Sequence, residues 1–259
     1  MKRRELSSTS NPLLVQLRRL AQTPTAYRRQ RRVWVEGEHL CRAALDRGVE
    51  VPVAVVTEAA LATAAVAGLV AGAAELVVVP EPEFRRLSGL ESPAAIGFVL
   101  ELPAAVAPDA TLPSIVLDGV QDAGNVGSLL RSASAMGVRQ VLALVGTAGL
   151  WSPKVLRAGM GAHFNLRLCE GLTPAAFDAL SMPLLATSSH AELGLHEAPL
   201  PADGAWVFGH EGQGVSAELA RRCRLAVRIA QPGGEESLNV AAAGAICLYE
   251  SLRRRLAPL

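Results

Sequence analysis

The stretch from residue 205 to residue 243, AWVFGHEGQGVSAELARRCRLAVRIAQPGGEESLNVAAA, constrains the fold more than any other part of the chain. Two short apolar runs, residues 205–208 and 225–229, have the length and composition of buried strands. Each opens into a glycine-bearing loop: Gly209-His210-Glu211-Gly212-Gln213-Gly214, then Gln231-Pro232-Gly233-Gly234-Glu235-Glu236. The second loop runs through Ser237-Leu238-Asn239-Val240 into an Ala-rich helix. Such a chain brings two strand ends, with their glycines, acids, an amide and a hydroxyl, to one edge of a sheet. In open α/β sheets that edge binds ligands.

The rest of the chain alternates in the same way. Before residue 105 the pattern predicts strands at 33–35, 51–56, 76–79 and 95–101, with helices at 12–21, 36–47, 58–70 and 81–87. Leu13, Leu14, Leu17 and Leu20 share one side of the first helix, and Arg18 and Arg19 fall on the other. Pro103, Pro108 and Pro113 then punctuate a run of small residues with linker composition. This divides the chain into a small α/β domain at 1–105, a linker at 106–113 and a second domain at 114–259. In the second domain, strands are expected at 114–117, 140–144, 165–168, 184–187, 205–208 and 225–229. Helices are expected at 126–136, 153–159, 174–180, 216–221 and 239–256. Strands separated by helices imply a mostly parallel, doubly wound sheet.

Composition excludes several classes. Half of the 259 residues are hydrophobic and mean hydropathy is +0.28, enough for a sizeable core and too much for disorder. No run reaches the length of a membrane span, and the start, MKRRELSSTS, lacks the apolar segment of a secretory signal. Cys41, Cys169, Cys223 and Cys247 stand far apart and read as free thiols of a reducing, cytoplasmic compartment. No His or Cys spacing suggests a metal site. Charge is uneven: residues 1–32 hold nine Lys/Arg against one acid, leaving 16 basic and 23 acidic residues elsewhere. A basic arm on a mildly acidic body points to a polyanion, most simply RNA, through Arg18, Arg19, Arg28, Arg29, Arg31 and Arg32. Lys154 and Arg157 share a helix face that is either RNA-facing or simply solvated.

The second domain opens with LDGVQDAGNVGSLLRSASAMG, residues 117–137, in which Asn125 lies near a helix start and Arg131 follows two turns on. A helix N-terminus with an amide and an arginine suits a phosphate or ribose; an ordinary cap with a surface arginine fits equally well. Neither GxGxxG nor GxxxxGK[ST] is present there, which disfavours a dinucleotide or nucleoside triphosphate enzyme.

Together, residues 117–137, 208–214 and 228–240 resemble the three motifs of the SpoU/TrmH ribose methyltransferases of the SPOUT superfamily. WSPKVLRAGMGAHFNLRL, residues 151–168, resembles the segment that connects them. NPLLVQLRRLA and VWVEGEHLCRAAL resemble an L30e-like RNA-binding domain. The resemblance implies a knotted second domain, with a deep trefoil in its last third. It implies a homodimer through that domain and S-adenosylmethionine as cofactor. It also implies methyl transfer to a ribose 2′-hydroxyl of RNA, ribosomal RNA before transfer RNA. It assigns catalysis to Asn125, Arg131, Glu211, Ser237 and Asn239, and cofactor binding to Thr187, Gly209, Ile229 and Leu238. Ala123, Ala230-Gln231 and Gly159 depart from the family pattern, which usually has Pro, Pro-Met and a small hydroxyl residue there. None of these departures removes a polar catalytic group. The competing reading is a non-catalytic RNA-binding or ribosome-assembly protein that keeps the fold.

Overall fold

The computed structural model describes residues 1–234 and 237–256. Glu235 and Glu236 of the second glycine loop lie outside them. The chain forms two compact units, Met1–Ala104 with Trp151–Phe164, and Ala105–Leu150 with Asn165–Leu259. No helix among the described residues is long and apolar enough to cross a membrane.

The first unit runs β1 (Lys2–Glu5), α1 (Pro12–Gln22), α2 (Ala26–Gln30), β2 (Arg32–Glu36), α3 (Glu38–Leu45) and β3 (Val53–Thr57). It continues with α4 (Glu58–Leu61), α5 (Ala64–Val70), β4 (Glu75–Val79), α6 (Glu81–Leu87) and β5 (Ile96–Glu101). Its sheet has the order β1-β4-β3-β5-β2. The first three strands are parallel, and β5 is antiparallel to both its neighbours. Asn11 accepts from the Leu13 N–H and Pro12 starts the helix, which explains where α1 begins. Leu14, Leu17 and Leu20 are buried as the periodicity requires, while Arg18 is half-buried with an enclosed Nε. The helix expected over 58–70 is broken at Thr63, whose hydroxyl donates to the Ala60 carbonyl and accepts from the Val66 N–H.

The basic start is not a free arm. Lys2–Glu5 pairs with β4 as an edge strand, and its arginines meet acids: Arg3 with Glu58, Arg4 with Glu75. A charged edge strand discourages pairing with other chains. It also hides from sequence patterning, because it has no apolar alternation.

The second unit is built from β6 (Ser114–Asp118), α7 (Ala123–Ala135), β7 (Gln140–Leu144), β8 (Arg167–Leu172), β9 (Leu184–Thr187), β10 (Ala205–Gly209), α9 (Ala217–Arg222), β11 (Cys223–Val227) and α10 (Val240–Leu256). Its six strands lie in the order β11-β9-β10-β6-β7-β8, and every pairing is parallel. Val116, Leu142 and Val207 bury one face of the sheet with Phe177 and Leu219. Alternate residues such as Trp206 and Phe208 are buried as well, and α10 packs on α7 and β10. The helix expected at 174–180 is a 3-10 turn, Pro174–Phe177. The segment Trp151–Phe164, with α8 (Pro153–Gly159), folds with the first unit rather than the second, its Trp151, Val155 and Leu156 buried there.

Trp34 on β2 lies across the sheet over Gly97 of β5. Its indole N–H donates to the buried Glu36 carboxylate at 3.0 Å, and Glu36 also accepts from Ser88 Oγ at 2.5 Å. A Cβ at position 97 would fall 2.3 Å from the indole Cη2. Gly97→Ala is therefore expected to cost ~1–3 kcal/mol of stability by overpacking. Urea unfolding followed by tryptophan fluorescence checks this; an unchanged midpoint would mean that the ring moves aside freely.

Candidate active site

The parallel strands direct their carboxyl ends to one edge, and the strand order reverses at β6, flanked by β10 and β7. Three loops meet there. Asp122 caps α7, its Oδ1 accepting from the Asn125 N–H at 2.7 Å. The cap is thus Asp122, and Asn125 sits one turn in. Glu211, in the loop after β10, reaches the same turn: it accepts from the N–H groups of Gln121 (3.2 Å) and Asp122 (3.1 Å) and from Asn125 Nδ2 (3.1 Å). Asn125 Oδ1 in turn accepts from Asn239 Nδ2 at 2.9 Å. Asn239 Oδ1 accepts from the N–H groups of Ala241 (2.9 Å) and Ala242 (3.2 Å), the first turn of α10.

Asn125, Glu211 and Asn239 therefore form one hydrogen-bonded chain across three loops. Each amide nitrogen uses one of its two N–H groups in this chain, and the other has no partner among the described residues. Burial raises the Glu211 pKa, but the hydrogen bonds from Asn125, its own backbone N–H, Asp122 and Gln121 outweigh it, so the net shift is downward. Glu211 holds the loop, not Arg131.

Arg131 stands outside the chain. Helix geometry puts it about 9 Å along α7 from Asn125 and about 120° round. It is exposed and has no hydrogen bond or ion pair among the described residues. Ser237 is exposed, two residues before Asn239. Thr187 ends β9, Gly209 ends β10, and Ile229 lies two residues beyond β11, so these three follow the carboxyl ends of neighbouring strands. Leu238 is also exposed.

The loop after β10 is tight. His210 and Gly214 exchange backbone hydrogen bonds at 3.0 and 2.8 Å, and His210 Nδ1 accepts from the Gly212 N–H. Asp118 Oδ2 accepts from the Ser216 N–H at 2.7 Å. The loops after β9 and β11 are laced together: Arg228 and Leu193, then Leu195 and Arg228, are joined by backbone hydrogen bonds at 2.9 and 2.8 Å. The Arg228 guanidinium also donates to the carbonyls of Ala191 and Glu192. From α10, Arg254 donates to the carbonyls of Leu195, His196 and Ala198. Burial, helped by Asp118, pushes the Cys223 thiol up to about 11, away from thiolate character.

Sequence reasoning missed Asp122 and Asp118. The spacing of Asp122 three residues before Asn125 is a cap signal that was legible. The Asp118 contact to Ser216 spans 98 positions and left no local trace.

Residues 113–249 match the SpoU rRNA Methylase family. The chain is 30% identical over 219 residues to the 23S rRNA (guanosine(2553)-2′-O)-methyltransferase RlmP of Bacillus subtilis, covering 83% of this chain and 86% of that protein. Its fold is similar to the crystal structure of an RNA 2′-O ribose methyltransferase, with TM-score 0.82 and 32% identity, covering 98% of this chain and 100% of the other. It is also similar to the AdoMet-bound rRNA methyltransferase from Sinorhizobium meliloti, with TM-score 0.84 and 26% identity over 99% of both chains.

The loop itself requires glycine at position 209. A Cβ there would lie 2.1 Å from the Gly214 carbonyl carbon and 2.3 Å from the Val215 nitrogen, both backbone atoms. Gly209→Ala is expected to open the 209–215 loop in the ligand-free protein and so to abolish ligand binding indirectly. Hydrogen exchange of the free variant checks this. Unchanged protection alongside lost ligand binding would restore a purely ligand-facing role.

Proposed function

The chain belongs to the SpoU rRNA methylase family, and from that premise we propose that it methylates a ribose 2′-hydroxyl of RNA, ribosomal RNA in preference to transfer RNA. The observation that carries this reading is the Glu211–Asn125–Asn239 chain, which holds two amides rigidly at the carboxyl edge beside Thr187, Gly209 and Ile229. When bound, S-adenosylmethionine supplies an activated methyl group. The residues around it fit such a group: a loop with no room for a Cβ at Gly209, strand ends at Thr187 and Ile229, and an enclosed amide oxygen on Gln231 that lacks a donor.

The remaining work is alignment and charge control. The free N–H groups of Asn125 and Asn239 orient the ribose. Arg131 grips the neighbouring phosphate by its planar fork and stabilises charge on the 2′-oxygen; a guanidinium stays protonated and is a poor base. The proton leaves to a phosphate oxygen or water. Ser237 and Leu238 border the same loop.

RNA is held by the first unit. Arg19, Arg29 and Arg31 are exposed and have no acidic partner among the described residues, unlike Arg3 and Arg4. Arg19, Arg29 and Arg32 line a groove with Gln16, Thr25 and Gln30. Arg18, Arg28, Lys154 and Arg157 belong to the same unit and extend its positive charge. An L30e-like fold for this unit and a trefoil knot in the second accord with the strand orders and with the lacing of 191–195 to Arg228. Ile246 and Tyr249 leave an apolar face on α10, which suits a homodimer. Four free cysteines suit the cytoplasm.

Single-turnover methylation of ribosomal RNA with labelled cofactor tests the activity, beside calorimetry of cofactor binding. Arg131→Ala is expected to lower turnover by a few hundredfold, a loss of ~3–4 kcal/mol of transition-state contact, with Arg131→Lys recovering little and cofactor affinity unchanged. Near-normal turnover would make Arg131 a surface residue, and absent cofactor binding by the native protein would favour the non-catalytic reading. For RNA binding, Arg19→Ala with Arg29→Ala should weaken affinity and flatten the log–log salt slope by about 2. An unchanged slope would move the RNA contact elsewhere.

A further inference from the structure

One enclosed acceptor in the second glycine loop has no donor. Gln231 follows Ile229 by two residues, and its Oε1 is shut off from solvent without a hydrogen-bond partner. Among the described residues of the second unit, it is the one side-chain oxygen or nitrogen in that state. Burying an amide oxygen without a donor carries the full cost of its desolvation, so such atoms in folded proteins ask for a reason. The Gly234 N–H closes a turn on the Gln231 carbonyl at 3.2 Å, and Arg228, three residues earlier, is tied to Ala191, Glu192, Leu193 and Leu195. Just ahead of it, Ile229 and Ala230 line an apolar cavity with Leu195 and Ile246, and the His196 and Tyr249 side chains that also line it make no hydrogen bond to the amide. A ligand N–H or O–H at this edge would supply the missing donor.

We propose that Gln231 Oε1 is a positioning acceptor for the cofactor, taking a hydrogen bond from an N–H or O–H of S-adenosylmethionine. This rests on reading the loop after β11, with Ile229, as part of the cofactor site. S-Adenosylmethionine carries donors at both ends, the adenosyl amino and hydroxyl groups and the α-ammonium. Either can donate to Gln231 Oε1, and the free protein carries the desolvation cost of that acceptor. That arrangement makes a prediction with opposite signs in the free and the loaded protein.

The test uses the full chain and the variants Gln231→Met and Gln231→Glu. Thermal unfolding of the cofactor-free protein is measured beside calorimetric titration with S-adenosylmethionine and with 5′-methylthioadenosine. Gln231→Met should raise the Tm of the free protein, because the orphaned oxygen is gone, yet weaken S-adenosylmethionine by about tenfold. Gln231→Glu, which keeps an acceptor, should restore most of that affinity. If the Met variant also loses affinity for 5′-methylthioadenosine, the donor is on the adenosyl group; if only S-adenosylmethionine is weakened, the donor is the ammonium. Unchanged affinity in Gln231→Met overturns the proposal. So does a fall in the free protein's Tm together with affinity, which marks a purely structural side chain. Native protein that binds no S-adenosylmethionine at all overturns the functional reading itself.

Discussion

The site depends on the fact that a carboxylate can only accept and a helix N-terminus can only donate. Glu211 stands at one end of the chain of hydrogen bonds, the first turn of α10 at the other. Between them Asn125 and Asn239 have no choice of orientation: each carbonyl oxygen must face α10 and each NH2 must face Glu211. The positive end of the helix dipole and the anionic Glu211 polarise the chain in the same sense. Three loops far apart in sequence are thus fixed by one directional relay, and the free N–H groups on both amides acquire defined positions without further packing.

A second set of contacts holds the loops after β9 and β11 in place. Arg254 binds three carbonyls between Leu195 and Ala198, while Glu250 grips it from the preceding turn at 2.7 Å. Glu250 is pushed down to about 2, first by the hydrogen bond from Arg253 and then, against a burial cost, by Arg254. These are partly solvated ion pairs and contribute modestly to stability. Their effect is geometric: α10, whose first turn anchors Asn239, also anchors the segment across from Ile229 through its last turns. One helix therefore carries one end of the amide relay and one wall of the loop after β11.

Much of this was legible in the sequence. The apolar runs gave five of the second unit's strands to within two residues; β6, β7, β9 and β10 stand out because strands buried on both faces are nearly continuous in apolar residues, whereas β11 is partly exposed. Asn125, Glu211 and Asn239 were legible as candidates only through the family motifs; each alone reads as a cap or a loop acid. What could not be read was physical contact. That Glu211 binds Asn125 and the Gln121–Asp122 backbone, and not Arg131, depends on where two loops meet. Residues 1–5 fall within the basic arm of residues 1–32, because Lys2, Arg3 and Arg4 have no apolar pattern; pairing with β4 makes them a strand. The division of Trp151–Phe164 from its sequence neighbours has the same origin, since helical periodicity says which face is buried and not what covers it.

That last segment has an evolutionary consequence. Because Trp151–Phe164 folds with the first unit, the chain passes between units three times, after residues 104, 150 and 164. A recombination joint in the Pro-rich linker would sever only one of the three passages. A catalytic piece moved to a new partner by such a joint would bring along Trp151, Val155 and Leu156 without the surface that covers them. Recombination at that joint therefore exposes apolar surface that the intact chain covers.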